Sequence, residues 1–479
     1  MGCISFFTLG CKLNQLETEA IAGAFKERGF SILPWEGAGP EDLLIVNTCT
    51  VTSRAEQKAR RIIRLFLRRG CAVLITGCYA RLGEAELAAL GTGKNLPFMA
   101  PSKDTLLDLP RFLADKAGPW GELLSRWREE QHLPGQAEDG ASRPFPAAFR
   151  FNPRTFLFHS RAFLKIQDGC DRSCAYCRVP LARGKSISLE SGELLTRLRA
   201  LEAQGIPEAV LTGVNICQYR SPGDTAVTLP VLLRILLENT GRIALRLSSI
   251  DPEPAVLTDE FFHILSHRRI RPHFHLSVQS GSSRILSAMG RPYGAEDIIH
   301  TVDRLRSVKE DPFLACDIIT GFPGETPGDF ESSAGLCRNL NFAAIHGFPY
   351  SPREGTRAAL LKNQVGRDTA GKRLAVLLEL SRQGKRDYIN RWRGRVLGAV
   401  AESEGAGASE KRAAGSFLPG KKNFSPSFFP ALTDNYIRIL LSAASEDPPV
   451  RPKPGSTVRC SVREPLTEGN FDAWGEVVV

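Results

Sequence analysis

Residues 162–184 read "AFLKIQDGCDRSCAYCRVPLARG": a strand-like apolar run that breaks off into three cysteines, Cys170, Cys174 and Cys177, at the spacing C-x3-C-x2-C. Five more β-like runs follow, "AVLTGVN", "IALRLSSI", "HFHLSVQS", "FLACDIITGF" and "AAIHGFPYS", separated by helical stretches such as "SGELLTRLRALEAQG" and "AEDIIHTVDRLRSVKE". Six alternating β-units predict a partial (β/α)6 barrel. Barrels of this kind work at the C-terminal ends of their strands, where the three cysteines stand, directly after the first one.

A second α/β pattern precedes it. "CISFFTLG", "DLLIVNTC" and "AVLITGC" read as strands, and "NQLETEAIAGAFKERG" and "SRAEQKARRIIRLFLRRG" as the helices between them. This predicts a parallel sheet. Cys11, Cys49 and Cys78 each end one of these strands and so gather on one sheet edge. Cys3 and Cys71 start strands, on the opposite edge, and read as structural. Residues 1–117 form this first α/β domain, 118–155 a linker rich in Pro, Gly and charge, and 156–395 the barrel. Residues 396–479 carry the short strands "VLGAVAESE", "NYIRILLSA", "STVRCSVRE" and "AWGEVVV", expected as a small OB-like β-barrel with a long loop at 405–430.

The whole chain, 479 residues with 42% hydrophobic and 24% charged side chains, has the composition of a soluble protein of several domains. It shows no leader and no membrane-length apolar run, and "MGCISF" is not a myristoylation signal, so a cytoplasmic protein is expected. Twelve cysteines in a reducing compartment point to metal ligands, catalysts or core fillers rather than disulfides. The net charge of +10 is concentrated. Between Arg54 and Arg69 seven basic residues face one acidic residue, and between Gly366 and Arg395 nine face three. Such stripes suit a phosphate backbone, or simply a solvated helix face.

Three thiolates at the spacing of Cys170, Cys174 and Cys177 suit three irons of a [4Fe–4S] cluster whose fourth iron stays open to a ligand. The alternative, a structural zinc, needs a fourth protein ligand that the neighbouring sequence does not offer. With Tyr176 between the last two cysteines, the motif resembles the radical S-adenosylmethionine (SAM) superfamily. The words "TLGCKLNQLETE", "NTCTVT", "TGCYA", "FLKIQDGC", "CAYCRVPLARG", "LSVQSGSSRILSAMGRPY", "DIITGFPGET" and "FPYSPREGT" resemble, over nearly the full length, the methylthiotransferase family. In particular they resemble the bacterial branch acting on threonylcarbamoyladenosine at position 37 of tRNA.

That resemblance implies a radical cluster on Cys170, Cys174 and Cys177, a second [4Fe–4S] cluster on Cys11, Cys49 and Cys78, and an RNA-binding TRAM barrel at the C-terminus. It further implies that SAM serves as both radical source and methyl donor, with tRNA, a low-potential electron donor and a sulfur donor as partners; a monomer is the expectation, although the sequence does not reveal the oligomeric state. Replacing the unactivated C2–H of adenine by sulfur calls for a radical, and a second cluster can hold the sulfur. The alternatives within the family are isopentenyladenosine in tRNA or an aspartate of a ribosomal protein. Outside it stands a non-catalytic iron–sulfur RNA-binding regulator, for which one cluster would suffice. The chain departs from the family pattern at Ile187 and Leu189, where further basic residues are usual, and its linker and 405–430 loop are long.

SAM needs contacts beyond iron. Tyr176, Gly213, Asn215, Ser248, Ser249, Gln279, Ser280 and Asp317 lie in the cysteine loop or at or near barrel-strand ends and are the candidates, although caps and turns use the same residue types. Cys217, Cys316, Cys337 and Cys460 read as buried small hydrophobes, and His273 and His275, alternating on one strand, as packing residues.

Overall fold

Apolar runs bounded by glycines and caps set the first domain. The structure, a computed structural model, describes residues 2–91, 95–100, 102–132, 146–403, 428–442, 451–466 and 470–478. Strands β1 (Ile4–Thr8), β2 (Ile32–Leu33), β3 (Leu43–Thr48), β4 (Ala72–Gly77) and β5 (Phe98–Met99) form a parallel sheet in the order β2-β1-β3-β4-β5. Every residue of the central β3 is buried, as a strand covered on both faces requires. Helix α1 (Lys12–Glu27) covers one face. Helix α2 (Ser53–Arg68) covers the other with Ala59, Ile62, Ile63, Phe66 and Leu67, while Arg54, Arg61, Arg64 and Arg68 face solvent. The Thr52 hydroxyl caps α2 by accepting from the Ala55 N–H.

The segment expected as a linker is in part a helix, α3 (Trp120–His132). Its Trp120, Leu123, Leu124 and Trp127 recur at helical spacing and are buried in the first domain's core. The surrounding charge and the Pro- and Gly-rich stretch after it hid that stripe; residues 133–145 lie outside the described ones.

The six expected barrel strands all form: β6 (Ala162–Lys165), β7 (Glu208–Thr212), β8 (Ala244–Leu247), β9 (His273–Gln279), β10 (Phe313–Thr320) and β11 (Ala344–Pro349). They make two parallel three-stranded sheets, β8-β7-β6 and β9-β10-β11, joined where the Ile250 N–H donates to the His275 carbonyl and the Ser277 N–H to that of Ile250. Outward residues such as Leu164, Leu211, Leu245, Leu276, Cys316 and Ile345 pack beneath the helices. Their neighbours in sequence point into the lumen, the period-two consequence of a pleated strand. On the open side Phe163 and Val210 join the core of the first domain, so α1 closes the barrel that six strands leave open.

The C-terminal unit is a closed five-stranded barrel: β12 (Val396–Ala401), β13 (Phe428–Thr433), β14 (Arg438–Ser442), β15 (Thr457–Pro465) and β16 (Ala473–Val477), in the order β12-β13-β14-β16-β15. Four of these strands were legible. β13 starts inside the span expected as a loop, whose residues 405–427 lie outside the described ones. Pro430 within it reads as a strand breaker, yet here the strand pairs on both sides.

This barrel seats on the N-terminal ends of the larger one. Phe313, Tyr388, Trp392 and its own Ile439 and Leu441 share one core. Tyr436 enters the lumen from below and stacks on His273, centroids 3.7 Å apart and planes at 27°. Its φ of 71° is unusual for a residue with a Cβ and is held by this packing and by the Arg246 guanidinium over its ring. Arg246 makes a bidentate pair with Glu208 at 2.7 and 2.9 Å, fully buried.

Candidate active site

The first three thiols are brought together by glycine. Gly10 (φ 105°) lies against Cys49, where a Cβ would stand 2.7 Å from the Cys49 Cβ and 2.8 Å from its Sγ. Gly77 (φ 103°) precedes Cys78, and a Cβ there would meet the Thr48 carbonyl oxygen at 2.2 Å. Only glycine allows both turns. Asn14 fastens them, its Nδ2 donating to the carbonyls of Leu9 (2.8 Å) and Thr48 (3.0 Å). Cys11 ends up exposed, Cys78 half-buried and Cys49 buried. Burial, with Cys11 and Cys78 adding to it, pushes the Cys49 thiol up to about 12, against the Val51 N–H that donates to its Sγ at 3.4 Å.

The loop of Cys170, Cys174 and Cys177 is folded as tightly. Gly169 (φ 69°) has no room for a Cβ, which would stand 1.9 Å from the Lys185 carbonyl oxygen. The Cys170 N–H donates to the Gly184 carbonyl and the Ala175 N–H to that of Met289. Each sulfur meets one N–H donor at 3.4 Å: Arg172 N on Cys170, Val179 N on Cys177, and Arg291 Nη1 on Cys174. Arg291 is itself held by Asp251 at 2.6 Å. Burial, with Cys174 and Cys170 adding to it, pushes the Cys177 thiol up to about 12.

Both triads fit an iron–sulfur cluster. Among the described residues no three His, Cys, Asp or Glu side chains converge on one ion, as a zinc would require. Three thiols, with N–H donors on Cys49, Cys170, Cys174 and Cys177, are the donor set a cubane uses, and a metal is what would hold the buried Cys49 and Cys177 thiols ionised.

The two loops are bolted to each other. Arg183, buried at the end of the second loop, donates to Glu17 and Asp168 at 3.0 Å and to Asn14 Oδ1 at 2.7 Å, and faces Cys78 and Cys11. Burial would raise the Glu17 carboxyl, but Arg183, Lys103 and Lys165 hold it well below the usual range. On the other side Glu56 of α2 pairs with Arg353 and, at 3.5 Å, with Arg178 beside Cys177. The pairs that join the two loops went unread because Arg183–Glu17, Arg353–Glu56 and Arg178–Glu56 each link residues more than a hundred positions apart.

Cys11 opens onto a cavity of about 420 Å³, within the range of small-molecule sites, lined from all three units. Gly213, Ser248 and Ser249 line it, with Cys11, and a Cβ on Gly213 would press on Gln167 Oε1 at 2.8 Å. His275 also lines it, bonded to Ser249 Oγ at 2.6 Å and to Asp317 Oδ1 at 3.2 Å. His273 and His275, read as packing residues, therefore face the lumen, on the side of β9 that also carries Gln279. Gln279 ends β9 with a φ of 67°. Tyr176 packs by the cysteine loop against Met289 and Phe322. Asn215 and Ser280 are engaged within the fold: Asn215 caps a turn and donates to Asp251 at 2.9 Å, and Ser280 bonds Ser333.

Residues 4–96 match the uncharacterized protein family UPF0004 and residues 164–337 the radical SAM superfamily. The chain is 42% identical to the threonylcarbamoyladenosine tRNA methylthiotransferase MtaB of Treponema pallidum, over 82% of this chain and 90% of that one. The chain belongs to the radical SAM methylthiotransferase family, on its MtaB branch. The MtaB of Bacillus subtilis is 30% identical over 93% of this chain and 92% of its own. A tRNA-2-methylthio-N(6)-dimethylallyladenosine synthase of Solibacter usitatus is 30% identical over 78% and 80%. Among solved structures, the radical SAM methyltransferase TsrM of Kitasatospora setae superposes with a TM-score of 0.48 at 16% identity, over 75% of this chain and 77% of that one. Among the described residues of this methylthiotransferase family member, no helix is long and apolar enough to cross a membrane.

Proposed function

We propose that this enzyme adds a methylthio group to C2 of threonylcarbamoyladenosine at position 37 of tRNA in the cytoplasm. The observation that carries the reading is the pairing of two thiol triads on loops fastened together by Arg183 and Glu56, with Cys11 of the first lining a cavity that all three units share. A [4Fe–4S] cluster on Cys170, Cys174 and Cys177 would supply the electron that splits SAM, and one on Cys11, Cys49 and Cys78 would carry the sulfur.

The protein's own residues prepare that site. Arg291 donates to the Cys174 sulfur and offsets its charge. Gly213, Ser248 and Ser249 leave and line the space where SAM and the base meet, and the Ser249–His275–Asp317 chain fixes the polar wall. Exposed Arg54, Arg61, Arg64 and Arg68 on α2, which starts beside Cys49, offer a phosphate-binding stripe. The branch rests on the 42% identity to a threonylcarbamoyladenosine enzyme, against 30% to one acting on dimethylallyladenosine. An electron donor of low potential and a sulfur donor complete the reaction.

The test is anaerobic reconstitution with dithionite, sulfide, SAM and, in parallel, tRNA bearing threonylcarbamoyladenosine or isopentenyladenosine. Mass spectrometry of the digested nucleosides should show the 2-methylthio product. Product on isopentenyladenosine alone would reassign the substrate.

A further inference from the structure

The cavity carries a cation that no described residue pairs. Lys12, the first residue of α1 and the neighbour of Cys11, extends into the lumen toward Tyr436. Lys385 lines the same space but is paired with Asp472 at 2.9 Å. Asp317 is taken up by His275. Lys12 forms no ion pair or hydrogen bond among the described residues, and the nearest buried carboxylate, Glu208, is already held by Arg246 and by Arg271. Arg246 Nη1, under the Tyr436 ring, likewise lacks an acceptor among the described residues.

An ammonium held in a cavity without a counter-ion among the described residues is costly. A fold that keeps such a group in its reaction cavity is arranged for an anion that arrives with the substrate.

We infer that Lys12 receives the carboxylate of the threonylcarbamoyl group, so that the enzyme selects an acidic modified adenosine over a neutral one. This rests on the function proposed above. The placement suits the reaction: C2 of the base would lie at the Cys11 end of the cavity, and the substituent on N6 would run inward to the floor, where the Lys12 side chain reaches. An apolar dimethylallyl group would instead leave the ammonium unpaired, and the lost pairing is what gives discrimination.

The test uses the full-length reconstituted protein and three anticodon stem-loops, carrying at position 37 threonylcarbamoyladenosine, its methyl ester, or adenosine. Dissociation constants come from fluorescence anisotropy. The wild type should bind the acid about tenfold or more tightly than the ester, the worth of one charge-assisted hydrogen bond. Lys12→Met should bind acid and ester alike, and Lys12→Arg should keep the preference. Equal binding of acid and ester by the wild type, which requires no variant to fold, would overturn the inference, as would a preference that survives in Lys12→Met. Weaker SAM binding in Lys12→Met, with the acid preference intact, would move the lysine to the cofactor and also overturn it. If the wild type forms no methylthio product on the acid, the function proposed above falls; if it forms product but binds acid and ester equally, only the role of Lys12 does.

Discussion

Gly77 shows how much one hydrogen atom carries here. A methyl group at that position has no room beside the Thr48 carbonyl, and the backbone is in a region that alanine avoids. Gly77→Ala should therefore displace Cys78. Iron should fall from about eight to about four atoms per chain, while reductive SAM cleavage to 5′-deoxyadenosine persists. Loss of all iron would mean that the two loops fold as one unit. Glu208 is a second informative residue. Burial opposes its charge, but Arg246, Arg161 and Arg271 pull its pKa from the usual 4.5 to about 2. A depressed carboxyl stabilises the fold above its unfolded pKa and loses that contribution as pH falls through the folded one. The stability gap between the wild type and Glu208→Gln, of roughly 3 kcal/mol at neutral pH, should therefore shrink between about pH 4.5 and pH 2 in denaturant titrations. A gap that stays constant across that window would place the pair's effect elsewhere.

Among the elements, α2 and α3 make opposite demands on their charged residues. The exposed face of α2 carries Arg54, Arg61, Arg64 and Arg68 with no matching acids on that face. Changing all four to glutamine should weaken tRNA binding at low salt. It should also flatten the plot of log K against log salt by about 0.9 for each arginine that meets a phosphate. An unchanged slope would leave α2 a solvated face. On α3 the charge is incidental and the apolar stripe decides: Trp127→Ala should cost about 3–5 kcal/mol of first-domain stability by leaving a cavity. The strands were legible because each apolar run ended in a distinct loop word. α3 was not, since its four apolar positions sit among charges, and β13 was not, since Pro430 and a Gly- and Lys-rich approach mask it. α3 is defined by the first-domain core it packs against, and β13 by its pairing with β12 and β14, neither of which its own residues announce. The six cysteines could be grouped by sequence; Lys12, Arg183 and Arg291 acquire a role only when distant segments meet.

At the scale of the whole molecule the three units share their interiors. Phe163 and Val210 of the large barrel lie in the first core, and Phe313, Tyr388 and Trp392 lie in the last. A chain ending at Gly394 would uncover the last group, and calorimetry should show the remaining barrel melting well below its temperature in the full chain. Replacing Cys11, Cys49 and Cys78 together with alanine removes no such packing of the barrel. That variant should still cleave SAM while forming no methylthio nucleoside. Product at wild-type yield would leave the first unit a structural role. Tyr436 gives the shared interior a further meaning. Its ring is at once the floor of the shared cavity and the tip of a hairpin in the C-terminal unit. Inheritance of substrate preference is therefore not modular: a chimera that imports the first unit from a relative with another substrate brings a new neighbour for Cys11 into a chamber whose base was shaped by a different partner. Recombination among such enzymes should succeed only when the hairpin travels with the cysteine loop.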